Sequence, residues 1–295
     1  MSDKTPCIVL GSGNIGTDLM MKLLRSDVLE LTAVVGIDRE SEGLALADQA
    51  GLATSASGAE WVVEEAVDGS LVFEATSAAA HRSNAALFAE RGLQCIDLTP
   101  AKLGPGVVPV VNLQAHQSAP DLNLISCGGQ ATIPMVAAIA EVCPVPYAEI
   151  VSTIASRSAG PGTRQNIDEF TRTTASGLEE VGGAKHGKAI IVLNPAEPPI
   201  AMRNTVYCAV ESGVDRERIR DSVVAMSQRV AQYVPGYRLL MEPVFDEDRV
   251  AVFVEVEGAG DYLPSYAGNL DIMTSAAVRV GEELVRNNEP EVASV

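Results

Sequence analysis

Aromatic side chains are scarce, 4% of the chain with a single tryptophan, so the cores it builds must be filled by aliphatic residues. Basic residues are scarce too. With 21 Lys and Arg against 39 Asp and Glu, a net charge of −18 at pH 7 and a pI near 4.5, the surface repels nucleic acid and anionic lipid, which need clustered cations. That excludes a polyanionic partner but not a small anion, because helix N-termini and single arginines hold phosphates locally. No apolar run approaches the length of a membrane span. Met1 to Pro6 is polar and leads straight into a strand-like stretch, without the basic and apolar regions of a signal peptide. The three histidines and five cysteines (Cys7, Cys95, Cys127, Cys143 and Cys208) have no metal-ligand spacing, and an odd cysteine count in a chain this large argues for free thiols. The expectation is a cytoplasmic protein with no metal, no nucleic acid and no membrane partner.

What is present is enough sequence for two cores. At 295 residues, 47% of them hydrophobic and 20% charged, the chain is globular and exceeds the usual size of one domain. Its first part alternates short apolar runs with helical patterns: strands at Cys7–Leu10, Leu31–Ile37, Leu71–Ala75, Gln94–Leu98 and Leu122–Ser126, with helices Asn14–Arg25, Gly43–Gln49, Glu60–Ala66 and Ala79–Arg91 between them. That order implies an α/β domain with a parallel sheet. An apolar helix at Ile133–Val142 is stopped by Pro144 and Pro146, and the texture then changes. Beyond it the pattern predicts strands at Glu149–Ala155, Ala189–Leu193 and Val250–Glu257, and helices at Ile167–Val181, Glu217–Val234 and Gly268–Arg286. The last helix can pack on either domain.

Gly11-Ser12-Gly13-Asn14-Ile15-Gly16 is a complete G-x-G-x-x-G between a strand and a helix. In such a motif Gly11 allows the tight turn, Gly13 the approach of a pyrophosphate to the backbone, and Gly16 the packing of helix on strand. A Gly-rich turn without a ligand has the same look. What favours a dinucleotide is Asp38, 22 residues beyond Gly16 at the end of the second strand, where a carboxylate accepts from a ribose hydroxyl and repels a 2′-phosphate. The cofactor expected is NAD.

Cys127 follows the strand ending at Ser126 and precedes Gly128, Gly129 and a helix. A thiol at the carboxyl end of a sheet strand and near a helix N-terminus is placed to bind a ligand and to ionise, which makes it a candidate nucleophile. The same residue reads equally as a small buried hydrophobe, as Cys7, Cys95, Cys143 and Cys208 do. His81, His116 and His186 read as solvated surface. The loop Ser158–Asn166 reads first as a capped helix entry, with Thr163 or Asn166 as cap and Asp168 and Glu169 in the first turn. The Pro-rich stretch Asn194–Pro199 and the passage Pro264–Asn269 read as connections.

Taken together, GSGNIGT (Gly11–Thr17), DLTP (Asp97–Pro100), CGGQATIP (Cys127–Pro134), SAGPGTRQNIDEF (Ser158–Phe170), KAIIVLNPAEPP (Lys188–Pro199), YVPGYR (Tyr233–Arg238) and YAGNLDIM (Tyr266–Met273) closely resemble the acylating acetaldehyde dehydrogenases of bacterial meta-cleavage pathways. The resemblance covers nearly the whole chain. It implies a glyceraldehyde-phosphate and semialdehyde dehydrogenase-like architecture: an NAD-binding Rossmann domain over residues 1–130 completed by a C-terminal helix over 268–295, and an α/β dimerisation and substrate domain over 131–267. It also implies conversion of acetaldehyde or propanal, with NAD and coenzyme A, into an acyl-CoA through a thioester on Cys127, in catabolism of aromatic or related ring compounds. NAD contacts are carried over to Ser12, Gly13, Asn14 and Ile15, to the loop Ser158, Ala159, Gly160, Pro161, Gly162, Thr163, Arg164, Gln165 and Asn166, and to Asn269, against the bland reading of those two passages. The expected partners are a second copy, forming a homodimer, and a 4-hydroxy-2-oxovalerate aldolase that delivers the volatile aldehyde through a tunnel. One departure stands out: Asn204 occupies a place where most relatives are expected to carry Asp, and an amide cannot take a proton.

Two other functions fit parts of the same pattern. One is a semialdehyde or acyl-phosphate reductase of this architecture, using phosphate in place of coenzyme A; the other is an NAD-sensing protein in which Cys127 is only structural.

Overall fold

Strands that are apolar on both faces need cover from both sides, and crossover helices supply it. The computed structural model describes residues 4–160, 164 and 167–288. Its first six strands are β1 (Thr5–Leu10), β2 (Leu29–Val35), β3 (Ala53–Ser55), β4 (Leu71–Glu74), β5 (Gln94–Asp97) and β6 (Asp121–Asn123). All pair in parallel, in the order β3-β2-β1-β4-β5-β6, the doubly wound arrangement of a Rossmann domain. The crossovers include α1 (Asn14–Leu23), α2 (Glu42–Gln49), α3 (Gly58–Glu65) and α4 (Ala78–Arg91).

Helix α5 (Cys127–Ala140) leaves this sheet and is buried at every residue from Cys127 to Ile139. A helix apolar all round must be enclosed by other elements. A second sheet encloses it: β7 (Tyr147–Ala155), β8 (Gly187–Asn194), β9 (Met202–Ala209), β10 (Tyr237–Leu239), β11 (Val244–Phe245) and β12 (Arg249–Val256), in the order β10-β12-β9-β7-β8 with β11 paired to β12. Only β7 and β8 run parallel. Helices α6 (Ile167–Glu180), α7 (Arg216–Ala231) and α8 (Gly268–Asn288) also pack against α5. The alternation in β9 is regular: Met202, Asn204, Val206 and Cys208 point inward, and Arg203, Thr205 and Tyr207 outward.

Helix α8 lies along α1, and a buried charge joins them. Lys22 Nζ lies 2.5 Å from Asp18 Oδ2 and 2.9 Å from Asp271 Oδ1, with its side chain only 8% exposed. Thr274 Oγ1 donates to Asp18 Oδ2 at 2.6 Å. Burial alone would lower the Lys22 pKa, but the Asp271 and Asp18 carboxylates outweigh it and hold the ammonium above its ordinary value.

Several elements differ from the sequence expectation. β3 and β9 to β11 were not expected. β3 is three residues long, and in β9 the polar Arg203 and Asn204 mask the inward alternation. β2 stops at Val35, so Asp38 lies in the turn beyond it. β6 ends at Asn123, not Ser126, because Ile125 adopts φ +63°. α5 starts at Cys127, six residues before the expected Ile133, since Gly128 and Gly129, poor helix formers in isolation, occupy places with no room for a Cβ. At Gly128 that atom would sit 2.9 Å from Ser152 Oγ.

Replacing Lys22 by Met leaves two buried carboxylates without their cation. The expected loss is about 3–5 kcal/mol of unfolding free energy, read from urea denaturation at neutral pH; a loss under about 1 kcal/mol would mean that the network does not hold α8 in place.

Candidate active site

The glycine loop is shaped by contacts on three sides. Gly11 has φ +122°, and a Cβ there would lie 2.5 Å from the Ala75 carbonyl oxygen; at Gly16 it would lie 1.7 Å from that of Gly11. Neither position admits another residue. Gly13, by contrast, has nothing within 4 Å of the place a Cβ would take. It caps α1 without any side-chain hydrogen bond, and the first turn carries no acid. Unsatisfied N–H groups at the positive end of a helix, facing open space, fit an anion such as a pyrophosphate. Ser12 is fixed from behind: Ser41 Oγ donates to its carbonyl at 3.0 Å and lies 2.8 Å from its Oγ, and Gly36 and Gly43 make room for it. Asn14 is exposed and Ile15 half-buried. Asp38 is exposed and accepts the Glu40 N–H at 3.0 Å, beside a surface cleft of about 440 Å³ lined by Arg39, Leu44 and Ser55 among others.

Cys127 is the first residue of α5. Ser126 caps the helix, its Oγ accepting the Gly129 N–H at 2.9 Å and lying 2.6 Å from Thr174 Oγ1 on α6. The thiol is only 8% exposed. The expectation that the helix N-terminus lowers its pKa is overturned: burial pushes the thiol up to about 12, outweighing the hydrogen bonds from the Gly128 and Cys127 backbone that favour the thiolate. Among the described residues no histidine or carboxylate hydrogen-bonds this thiol.

Gly128 brings α5 against Ser152 on β7 and Phe170 on α6. Ser152 Oγ donates to Asn204 Oδ1 at 2.7 Å. Asn204 is 2% exposed, and among the described residues its Nδ2 has no partner. Asn204 therefore lies one side chain away from the cysteine helix, with a donor where a carboxylate would offer only acceptors. Sequence reasoning missed Ser152; its signal is a hydroxyl among the inward-facing Ala148, Ile150 and Ile154 of β7.

The loop after β7 begins with a single 3-10 turn, Ser156–Ser158. Ser158 and Ala159 are buried, and Ser158 Oγ donates to the Ala155 carbonyl at 2.9 Å. Arg164 folds back on this loop, its guanidinium donating to the Ala159 and Ser156 carbonyls. Gly160 is exposed. Pro161, Gly162, Thr163, Gln165 and Asn166 lie outside the described residues, including both proposed helix caps. Asn269, at the start of α8, is 2% exposed, and among the described residues its Oδ1 has no partner. A buried carbonyl oxygen without a donor fits a ligand amide, which agrees with a nicotinamide carboxamide.

Of the remaining candidates, His81 corrects the expectation of a solvated side chain: it is fully buried, because α4 packs it over the end of the first sheet. Its Nδ1 lies 3.6 Å from Glu74, and its Nε2 lies 3.4 Å from Asp97 and 2.8 Å from Asp121. Burial would lower its pKa, but Asp121, Glu74 and Asp97 raise it to about 10, so the ring is a buried cation at neutral pH. Cys95 lies close enough to complete a His/Cys/Asp group. The 2.8 Å approach of His81 to Asp121 is nevertheless that of an ion pair, since ligands around a tetrahedral zinc stand about 3.3 Å apart. Cys7, Cys95 and Cys208 are buried and Cys143 is half-buried, all as free thiols.

A parallel Rossmann sheet with a glycine loop, followed by a helix that starts in a cysteine and packs on a mixed sheet, is the fold of the semialdehyde dehydrogenases. The likeness of fold is direct: an aspartate semialdehyde dehydrogenase II from Vibrio cholerae superposes with a TM-score of 0.62 at 14% identity, over 97% of this chain and 100% of that one. Within that class the chain belongs to the prokaryotic acetaldehyde dehydrogenase family. Residues 127–264 match the family model described as prokaryotic acetaldehyde dehydrogenase, dimerisation. An acetaldehyde dehydrogenase from Mycolicibacterium gilvum is 57% identical, over 97% of this chain and 96% of that protein. A propanal dehydrogenase (CoA-propanoylating) from Mycobacterium tuberculosis is 56% identical, over 97% of each.

With the thiol held near 12, the free protein should alkylate slowly at Cys127. Its rate with iodoacetamide, followed by peptide mass spectrometry, is expected to climb about tenfold per pH unit from neutral pH to about pH 9. A plateau below pH 8 would show a thiolate already stabilised without ligand.

Proposed function

We propose that this protein is an NAD-dependent, CoA-acylating aldehyde dehydrogenase acting on acetaldehyde or propanal, with Cys127 as its nucleophile. The observation that carries this reading is near-full-length likeness, at 56–57% identity, to relatives named for these two aldehydes. The Cys127 sulfur attacks the aldehyde carbon to form a thiohemiacetal, and its proton leaves to solvent. Loss of hydride turns the adduct into a thioester, and the coenzyme A thiol then takes the acyl group and restores Cys127. Bound NAD supplies the two-electron acceptor for that hydride.

The chain's own residues set the geometry. Ser12, Gly13, Asn14 and Ile15 hold the pyrophosphate, Asp38 the ribose, and the loop from Ser158 to Asn166 together with Asn269 the nicotinamide end. The Gly128 backbone N–H faces the developing oxyanion, the Gly129 N–H being taken up by Ser126 Oγ, and Asn204 Nδ2 aids it. In this division of labour residues 1–130 with 268–295 form the cofactor-binding domain, and 131–267 bind substrate, lend the loop Ser158–Asn166 to the nicotinamide end and pair with a second copy. The pairing surface is the outer face of the second sheet, where Val192 is 40% and Tyr147 37% exposed. A 4-hydroxy-2-oxovalerate aldolase as second partner rests on the family resemblance alone. Among the described residues no helix is long and apolar enough to cross a membrane, in keeping with work in the cytoplasm.

Cys127→Ser is expected to abolish turnover with acetaldehyde and propanal while leaving the NADH dissociation constant within about twofold. Wild-type protein given aldehyde and NAD without coenzyme A should carry an acyl group on Cys127 by mass spectrometry, discharged by coenzyme A. Discharge by phosphate instead would make it an acyl-phosphate enzyme, and an adduct-free protein that binds NADH would make it a sensor. Val192→Asp should turn a homodimer into monomers in light scattering; an unchanged mass would move the interface elsewhere.

A further inference from the structure

Ile125 stands two residues before Cys127 with φ +63°, and among the described residues only Lys102, at φ +51°, shares a positive φ without being glycine. A β-branched residue in this region is a true outlier. Glycine would relieve the backbone, yet the site demands a large side chain. Ile125 fills a niche walled by Gly106, Gly129 and Gly177, where added Cβ atoms would stand 3.0, 3.0 and 3.1 Å from its side chain. Packing requires isoleucine where the backbone favours glycine, so an outside interaction must hold the turn.

Asn123 provides it. Fully buried at the end of β6, it accepts the Ile125 N–H on Oδ1 at 2.9 Å. Its Nδ2 donates to Asp97 Oδ2 at 2.8 Å and to the Thr99 carbonyl at 2.9 Å, so the amide can turn in neither direction. Asp97 is fixed in turn by the Thr99 N–H at 2.7 Å, with His81 Nε2 standing 3.4 Å away. None of these side chains has a part in the chemistry described above.

We propose that Asn123 is a positioning residue for the Cys127 thiol, holding the left-handed turn at Ile125 while Asp97 and the Thr99 carbonyl hold Asn123. The turn sets the direction in which Ser126 and Cys127 enter α5, and with it the approach of the sulfur to the aldehyde carbon. The inference rests on Cys127 being the nucleophile.

Full-length Asn123→Ala and Asn123→Ser separate positioning from mere support. Serine keeps an acceptor for the N–H two residues on, as a weaker version of the same turn; alanine keeps none. Expected for Asn123→Ala is a fall in kcat for acyl-CoA formation of about 10- to 100-fold, a matching fall in Cys127 alkylation rate, and an NADH dissociation constant within about twofold of wild type. Asn123→Ser should recover part of both losses. The proposal is overturned if Asn123→Ala alkylates and turns over at the wild-type rate. It is equally overturned if serine and alanine lose the same amount, or if NADH affinity and melting temperature fall in step with activity. Should Asn123→Ala not fold, Asn123→Ser alone must show reduced alkylation with intact NADH binding. Cys127→Ser in the same assay keeps the two readings apart: if it turns over, the nucleophile assignment fails, whereas if it is inactive and Asn123→Ala is unaffected, only the positioning role fails.

Discussion

Helix α5 has to be hidden on every side, and the rest of the molecule is arranged to hide it. Thirteen consecutive residues, mostly apolar or small, are buried and leave no face of the helix for water, so one sheet cannot be enough. The second sheet, α6, α7 and α8 close around it, and the C-terminal helix returns across the whole chain to do so. Cys127 is the first residue of that helix, which is why it is buried and not on the surface.

Enclosure sets the electrostatics. In a chain with 39 acids and 21 Lys and Arg, buried carboxylates need buried cations, and Lys22 and His81 each serve several. Both are held in the charged form by their partners despite burial. Cys127 has no such partner, so desolvation wins over the helix N-terminus and the thiol is protonated at rest. Its reactivity therefore depends on what binds beside it.

The glycine loop was legible because each glycine answers to a short-range constraint: the turn at Gly11, the close approach at Gly16, the open space at Gly13. The cysteine was legible as a candidate, but its environment was not. Nothing local distinguishes His81, buried under α4, from a surface histidine, or ties Ser152 to Asn204 across 52 positions of chain. Ile125 is harder still, since a strand reading through Ser126 is the natural one for an apolar run, and only the packing of its side chain against Gly106, Gly129 and Gly177 together with the bond from its N–H to Asn123 accounts for a left-handed isoleucine.

By itself the sequence determined most of the strands and helices of the first sheet, the glycine loop, the family through its long motifs, and Cys127 as the residue to watch. These depend on neighbours in the chain or on patterns read along it. Tertiary structure alone decided where β6 stops, that α5 begins at the cysteine, that the thiol is desolvated rather than activated, that Ser152 and Asn204 pair against the start of α5, and that Asn123 holds the turn before it. Each of those outcomes turns on contacts between segments far apart in sequence, where burial and packing override local propensity.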